Sequence, residues 1–187
     1  MKRRCMLILF LLISISIYAN EDKQVFMVYG QDFMINYPLP NIWQVDMNFA
    51  SRNRIDGFFY IKQFGINNSP VGIIMQLAKK PDEDSKLVDW VEYDKQQLLK
   101  YYPEREFQII DNQRVQKYGY EVLVYEFKNK NSLIHYQNIA YIDSKEKYFI
   151  KIYIDCKSLN GNEQYVDDFL SGVFDISYLK IKVMPKN

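Results

Sequence analysis

Between residues 118 and 156 three apolar runs are separated by short polar turns, and no other stretch narrows the possible folds as far. Residues 120–127 (YEVLVYEF), 133–142 (LIHYQNIAYI) and 147–155 (KYFIKIYID) are joined by Asn129-Lys130-Asn131 and by Asp143-Ser144-Lys145-Glu146. β-Branched and aromatic runs bounded by turn formers predict an antiparallel three-strand meander. In the last run Tyr148, Ile150, Ile152 and Ile154 point one way and Lys147, Lys151 and Asp155 the other, the period of a half-buried strand with a lysine-bearing outer face. The first two runs are apolar on both faces: Val122 and Val124 oppose Leu123, Tyr125 and Phe127, while Ile134, Tyr136 and Ala140 oppose Leu133, Ile139 and Tyr141. A sheet that is apolar on both sides needs cover on both.

Two amphipathic segments are suited to supply it. Asp82-Glu83-Asp84-Ser85 has the acidic and hydroxyl side chains that favour a helix start, and Leu87, Trp90, Val91, Leu98 and Tyr101 then recur at helical spacing until Pro103. Lys95 and Lys100 fall in the second half of this four-turn helix. A second helix over 163–174 places Tyr165, Val166, Phe169, Leu170 and Val173 on one face. The fold class expected is therefore α+β, a single antiparallel β-sheet flanked by helices on both faces.

The remaining segments add strands. Residues 25–29 and 32–37 form a hairpin around Gly30-Gln31, with Pro38 and Pro40 ending its second strand, and Ile42, Trp43 and Val45 bring an aromatic anchor back to the sheet. Strands are expected over 57–64 (a weaker pattern), over 71–79 before Pro81, and over 106–116 with a kink near Asp111-Asn112. Residues 176–183 alternate Ile176, Tyr178, Lys180 and Lys182 as a final edge strand. No repeat or linker divides residues 20–187, which are expected to form one globular domain.

Residues 1–19 carry the three parts of a secretory signal peptide: Lys2, Arg3 and Arg4, the apolar run 6–17, and Ala19 just before the cut, with Asn20 as the new N-terminus. The alternative is an uncleaved leader acting as a membrane anchor. Cys5 precedes the apolar run, whereas an acylated cysteine would follow it. Cleavage leaves 168 of 187 residues, and it removes three basic residues and no acidic one, turning a formal charge of +1 into −2. Such a chain has no electrostatic footprint for nucleic acid or anionic lipid, and a secreted or periplasmic location follows from the leader. Cys156 alone survives cleavage, so no intrachain disulfide forms. The two readings of Cys156 are a partly buried free thiol and a disulfide-linked dimer.

The catalytic inventory is thin. His135 is the one histidine, expected as a hydrogen-bonded imidazole on the sheet surface beside Leu133, Gln137 and Ile139. No Gly-x-Ser-x-Gly elbow accompanies it, Ser132 is too near along the strand, and one histidine with one cysteine does not make a usual zinc site. Asp82-Glu83-Asp84 and Asp167-Asp168 lack the spacing of a calcium loop, and the seven glycines are scattered singly, without a phosphate loop. Paired carboxylates for glycoside cleavage are assembled in space and stay open.

The order of elements, with Tyr37-Pro38 followed five residues later by Trp43 and a closing Ile176-Ser177-Tyr178, resembles the PsbP-like superfamily. That group includes the photosystem accessory protein PsbP, bacterial secreted DcrB-like proteins and a nuclear Ran-binding cousin. The resemblance spans residues 25–180 and implies an α/β/α sandwich that serves as a binding or assembly accessory rather than an enzyme. The chain departs from it in having no photosystem-type extension and no histidine pair, and an exported protein does not meet nuclear Ran. No family binding residue carries over onto a matched position. The function expected is an exported, non-enzymatic binding or assembly-accessory domain of the bacterial cell envelope, with an envelope protein or small ligand as partner and no cofactor, metal or nucleic acid. The alternatives are a secreted hydrolase with carboxylates assembled in space and an anchored surface protein that keeps its leader.

Overall fold

A computed structural model of the protein describes residues 23–30, 32–110, 114–130 and 134–181. The signal segment, with Ala19 and Asn20, lies outside the described residues, as do Asp111-Asn112 and Lys182. In chain order the elements are β1 (Lys23–Tyr29), β2 (Phe33–Pro40), β3 (Trp43–Val45), α1 (Met47–Arg52), β4 (Gly57–Ile61), a 3-10 turn, α2 (Gly65–Asn68), β5 (Val71–Lys79), α3 (Leu87–Tyr101), β6 (Arg105–Ile109), β7 (Glu121–Asn129), β8 (Ile134–Asp143), β9 (Tyr148–Ser158), α4 (Glu163–Asp175) and β10 (Ser177–Lys180). The predicted meander is β7, β8 and β9, with Tyr125 opposite Ile139 and Ile139 opposite Tyr153.

A single sheet is expected, but the strands divide into two. Seven run in the order β3-β4-β5-β9-β8-β7-β6, and three form a separate sheet, β1-β2-β10, every pair antiparallel. The single-sheet expectation is corrected on this point. Its failure has a physical cause: a hairpin that extends a sheet and one that stacks across it bury alternate residues alike, and Phe33, Ile35, Tyr37 and Leu39 are buried in the second way. Pro38 lies within β2, and Pro40 is its last residue, as expected. β10 pairs only with Phe33 to Asn36, so beyond that point β2 is an edge on that side, where prolines are tolerated.

Both faces of the large sheet are covered, by different means. On one face Ile150, Ile152, Ile154 and Cys156 of β9 share a core with the inner face of the small sheet and with Val166, Phe169, Leu170 and Val173 of α4. On the other, Leu87 and Val91 of α3 pack on Tyr125, Phe127, Ile139, Tyr141 and Phe149. Each large side chain so buried contributes about 1.5–3 kcal/mol. Trp90 stacks on Phe149, centroids 5.2 Å apart, and meets the edge of Tyr141 at 5.5 Å. Trp43 is fully buried, as an anchor, and its indole N–H donates to Asp168 Oδ2 at 3.1 Å.

Two local expectations change. The acidic run does not cap α3: Ser85 Oγ donates to Asp82 Oδ1 at 2.8 Å, closing a turn on itself, and the cap position is Lys86, which makes no side-chain capping bond. Tyr101, placed on the apolar stripe by its spacing, is 73% exposed because it ends the helix, and Leu99 joins the packed residues instead.

Candidate ligand-binding depression

The helix α3 covers only part of its face of the large sheet. Tyr102 N–H bonds Leu98 O at 2.9 Å, Pro103 stops the helix, and Arg105 N–H bonds Tyr102 O at 3.1 Å as the chain turns into β6. Beyond this turn the sheet is uncovered, and a depression of about 370 Å³ opens. Its floor is built by strand alternation. β8 contributes His135, Gln137 and Ile139, β9 contributes Lys151, Tyr153 and Asp155, and β5 adds Gln76. Leu98, Tyr102 and Arg105 form the wall.

The polar groups here are unequally satisfied. Gln137 Nε2 donates to Asp155 Oδ1 at 3.1 Å across the pair β8–β9. Lys151 Nζ and Tyr141 Oη both donate to Asp94 Oδ2, each at 2.6 Å, forming a charged cluster beneath α3. The Lys151 side chain is 9% exposed and that of Asp94 23%, so Lys151 is a buried partner of the helix and not part of a solvated lysine face. Arg105 differs. Its guanidinium lies 4.5 Å from the Tyr102 ring centroid and 5.0 Å from that of Phe127, and among the described residues its Nε is buried without a hydrogen-bond partner. Leaving such a donor unpaired costs about 1–3 kcal/mol.

Proton chemistry in the depression is suppressed. Burial, then the charge of Asp94, pushes the Tyr141 hydroxyl far above the ordinary tyrosine range. Burial, then Asp155, pushes Tyr153 up to about 12. Neither ionises near neutral pH, and both remain hydrogen-bond donors. The arrangement presents polar groups on a floor of sheet.

The comparisons with known proteins bear on the fold. No protein-family model matches the sequence, and no curated protein matches it. Among solved structures, the solution structure of cyanobacterial PsbP (CyanoP) from Synechocystis sp. PCC 6803 is similar with a TM-score of 0.52 and 13% identity, over 90% of this chain and 98% of that one. The chain has a PsbP-like fold.

Within this PsbP-like fold the residues singled out from the sequence fall far apart. His135 is exposed on β8 with φ +55°, a left-handed conformation, and the expected hydrogen bond is absent among the described residues. It lines the depression, whereas Cys156 lies on the opposite face of the sheet, fully buried. Burial, then Asp155, pushes the Cys156 thiol up to about 12. An interior thiol of this kind is neither a nucleophile beside His135 nor able to reach a second copy, so the disulfide-linked dimer is corrected. Asp168 accepts from Trp43 at the small-sheet side of the molecule, and Asp167 does not join it in any cluster of metal-ligating side chains among the described residues.

Asp82 and Glu83 line a larger opening of about 680 Å³, on the PsbP-like fold's opposite margin, with Lys80, Lys145, Glu146, Lys147 and Lys180. Three of its four lysines pair with carboxylates, Lys80 with Asp143 at 2.6 Å, Lys147 with Asp32 at 2.9 Å and Lys180 with Glu146 at 3.8 Å, and Lys145 has no ion-pair partner among the described residues. The smaller depression is the better candidate because its cation at Arg105 is held between two rings with a buried Nε that has no hydrogen-bond partner among the described residues. Among the described residues it is lined by a single carboxylate, Asp155, which makes no carboxylate pair for glycoside cleavage there. No described helix is long and apolar enough to cross a membrane. No motif in the sequence marks Arg105, Tyr102 or Asp94. Only Asp94 left a trace, as a charge on the stripe Leu87, Val91, Leu98.

Proposed function

We propose that the protein is an exported, non-enzymatic accessory domain of the bacterial cell envelope, which binds a small ligand or the polar segment of an envelope partner in the depression beside Arg105. The observation that carries the reading is the guanidinium held by two rings, without an ion-pair partner among the described residues, in a depression where Tyr153 stays protonated and the one thiol among the described residues lies on the other face. Likeness to PsbP, a fold associated with accessory roles, supports the non-catalytic part. The leader at residues 1–19 supports the address.

Two measurements test it. Mass spectrometry of the chain recovered from an expressing bacterium is expected to find the mature N-terminus at Asn20, and an intact Met1 in that fraction supports the anchored alternative instead. Pull-downs from envelope extract with wild-type bait and with Arg105→Glu bait should differ by one or more partners lost in the variant. Identical captures from two folded baits would refute the assignment of the depression.

A further inference from the structure

Among the described residues nothing answers the charge of Arg105. Among the described residues no carboxylate lies within ion-pairing distance of it, whereas Lys151, the other cation bordering the same depression from below, is held by Asp94. The rings of Tyr102 and Phe127 occupy a corner around the guanidinium and constrain its orientation. A guanidinium steadied by rings offers its edge to a planar two-oxygen acceptor, the geometry of a carboxylate.

Across the depression stands a negative charge. Asp155 uses Oδ1 to accept from Gln137, and its exposed carboxylate borders the same space. Its presence disfavours a multiply charged anion and favours one that brings donors of its own. Gln76, on β5 beyond β9, adds an amide at the margin away from Arg105. A volume of about 370 Å³ suits a small molecule.

Resting on the reading of this depression as a ligand seat, we infer that it takes a small molecule bearing one carboxylate, bound edge-on at Arg105, whose far end presents hydroxyl or ammonium donors to Asp155. Nuclear magnetic resonance titration of the full exported chain tests this with three probes: propionate, methylammonium and inorganic phosphate. The Arg105 Nε–Hε signal and the side-chain amides of Gln76 and Gln137 are followed. Propionate is expected to move the Arg105 signal along a saturable curve. In Arg105→Gln, with its dispersed spectrum retained, the propionate response at Gln137 should weaken by about tenfold or more, and in Arg105→Lys by a comparable factor, because an ammonium does not make the paired bonds. An undiminished response in folded Arg105→Gln overturns the inference. So does a response at Gln76 and Gln137 to phosphate or methylammonium with none to propionate, which leaves the depression a ligand seat of another charge class. Silence of all three groups with all three probes overturns both the inference and the seat.

Discussion

A carboxylate and an ammonium taken out of water together are tolerated as a pair and penalised singly, and Asp94 with Lys151 is such a pair. Removing one partner strands the other. Asp94→Ala should destabilise the fold by about 3–5 kcal/mol, read from the shift of its urea midpoint, while the double change Asp94→Leu with Lys151→Met should return close to the wild-type midpoint. A cost below about 1 kcal/mol for the single variant would mean that Lys151 reaches water after all. Cys156 permits a second test at this scale: being fully buried, it should resist a thiol-reactive dye in the native protein and react fully in guanidinium. Asp94 was legible in principle, because a charge on an apolar stripe marks a buried partner. Arg105 was not. Its ring contacts depend on the register that sets Arg105 opposite Asn129 and Phe107 opposite Phe127, which local sequence does not encode.

Helices show how far periodicity carries. The α4 stripe matches its expectation, with Val166, Phe169, Leu170 and Val173 all buried, because amphipathic spacing reports the buried face directly. What spacing does not report is distance of approach. At Gly172 an added Cβ would lie 2.7 Å from Tyr37 Cε2 and 2.8 Å from Pro38 O, and the second neighbour is backbone, which cannot swing aside. Gly172→Ala gains about 1 kcal/mol of helix propensity and loses more to overpacking, typically about 1–3 kcal/mol. A lowered melting temperature is expected, and a raised one would place α4 farther from β2. At α3 the acidic run suggested a cap where the chain instead makes a self-contained turn and starts the helix behind an exposed lysine. Lys86→Asp supplies both a capping oxygen and the favourable charge at the positive end of the helix. The melting temperature should rise, corresponding to about 0.5–2 kcal/mol.

Across the whole molecule the interior is rich in weak acids held neutral. Cys156 is raised from 9.0 to about 12 and Tyr153 from 10.0 to about 12, and burial also lifts Tyr136 and Tyr141. In the unfolded chain these groups lose protons first, so the unfolded state binds fewer protons than the native state once the pH passes about 9. Stability from these groups is complete below that point and declines as the pH rises toward about 12. Urea midpoints measured at neutral pH and at about pH 11 should show a marked fall, and equal midpoints would mean that these side chains are solvated. At this scale the sequence conveyed a sheet buried on both faces and the identity of its central strands. The small sheet was beyond it, because stacking and extension share one alternation.

That small sheet has one more implication. Asn36 lies opposite Ser177 and Phe33 opposite Lys180, so a strand made among the last is slotted beside one made among the first. Contacts this distant along the chain form late and close the largest loop available. Were this chain threaded head first through a narrow pore, it would stay unlatched until its tail had followed, and the fastening that finishes the structure would be engaged only on the far side.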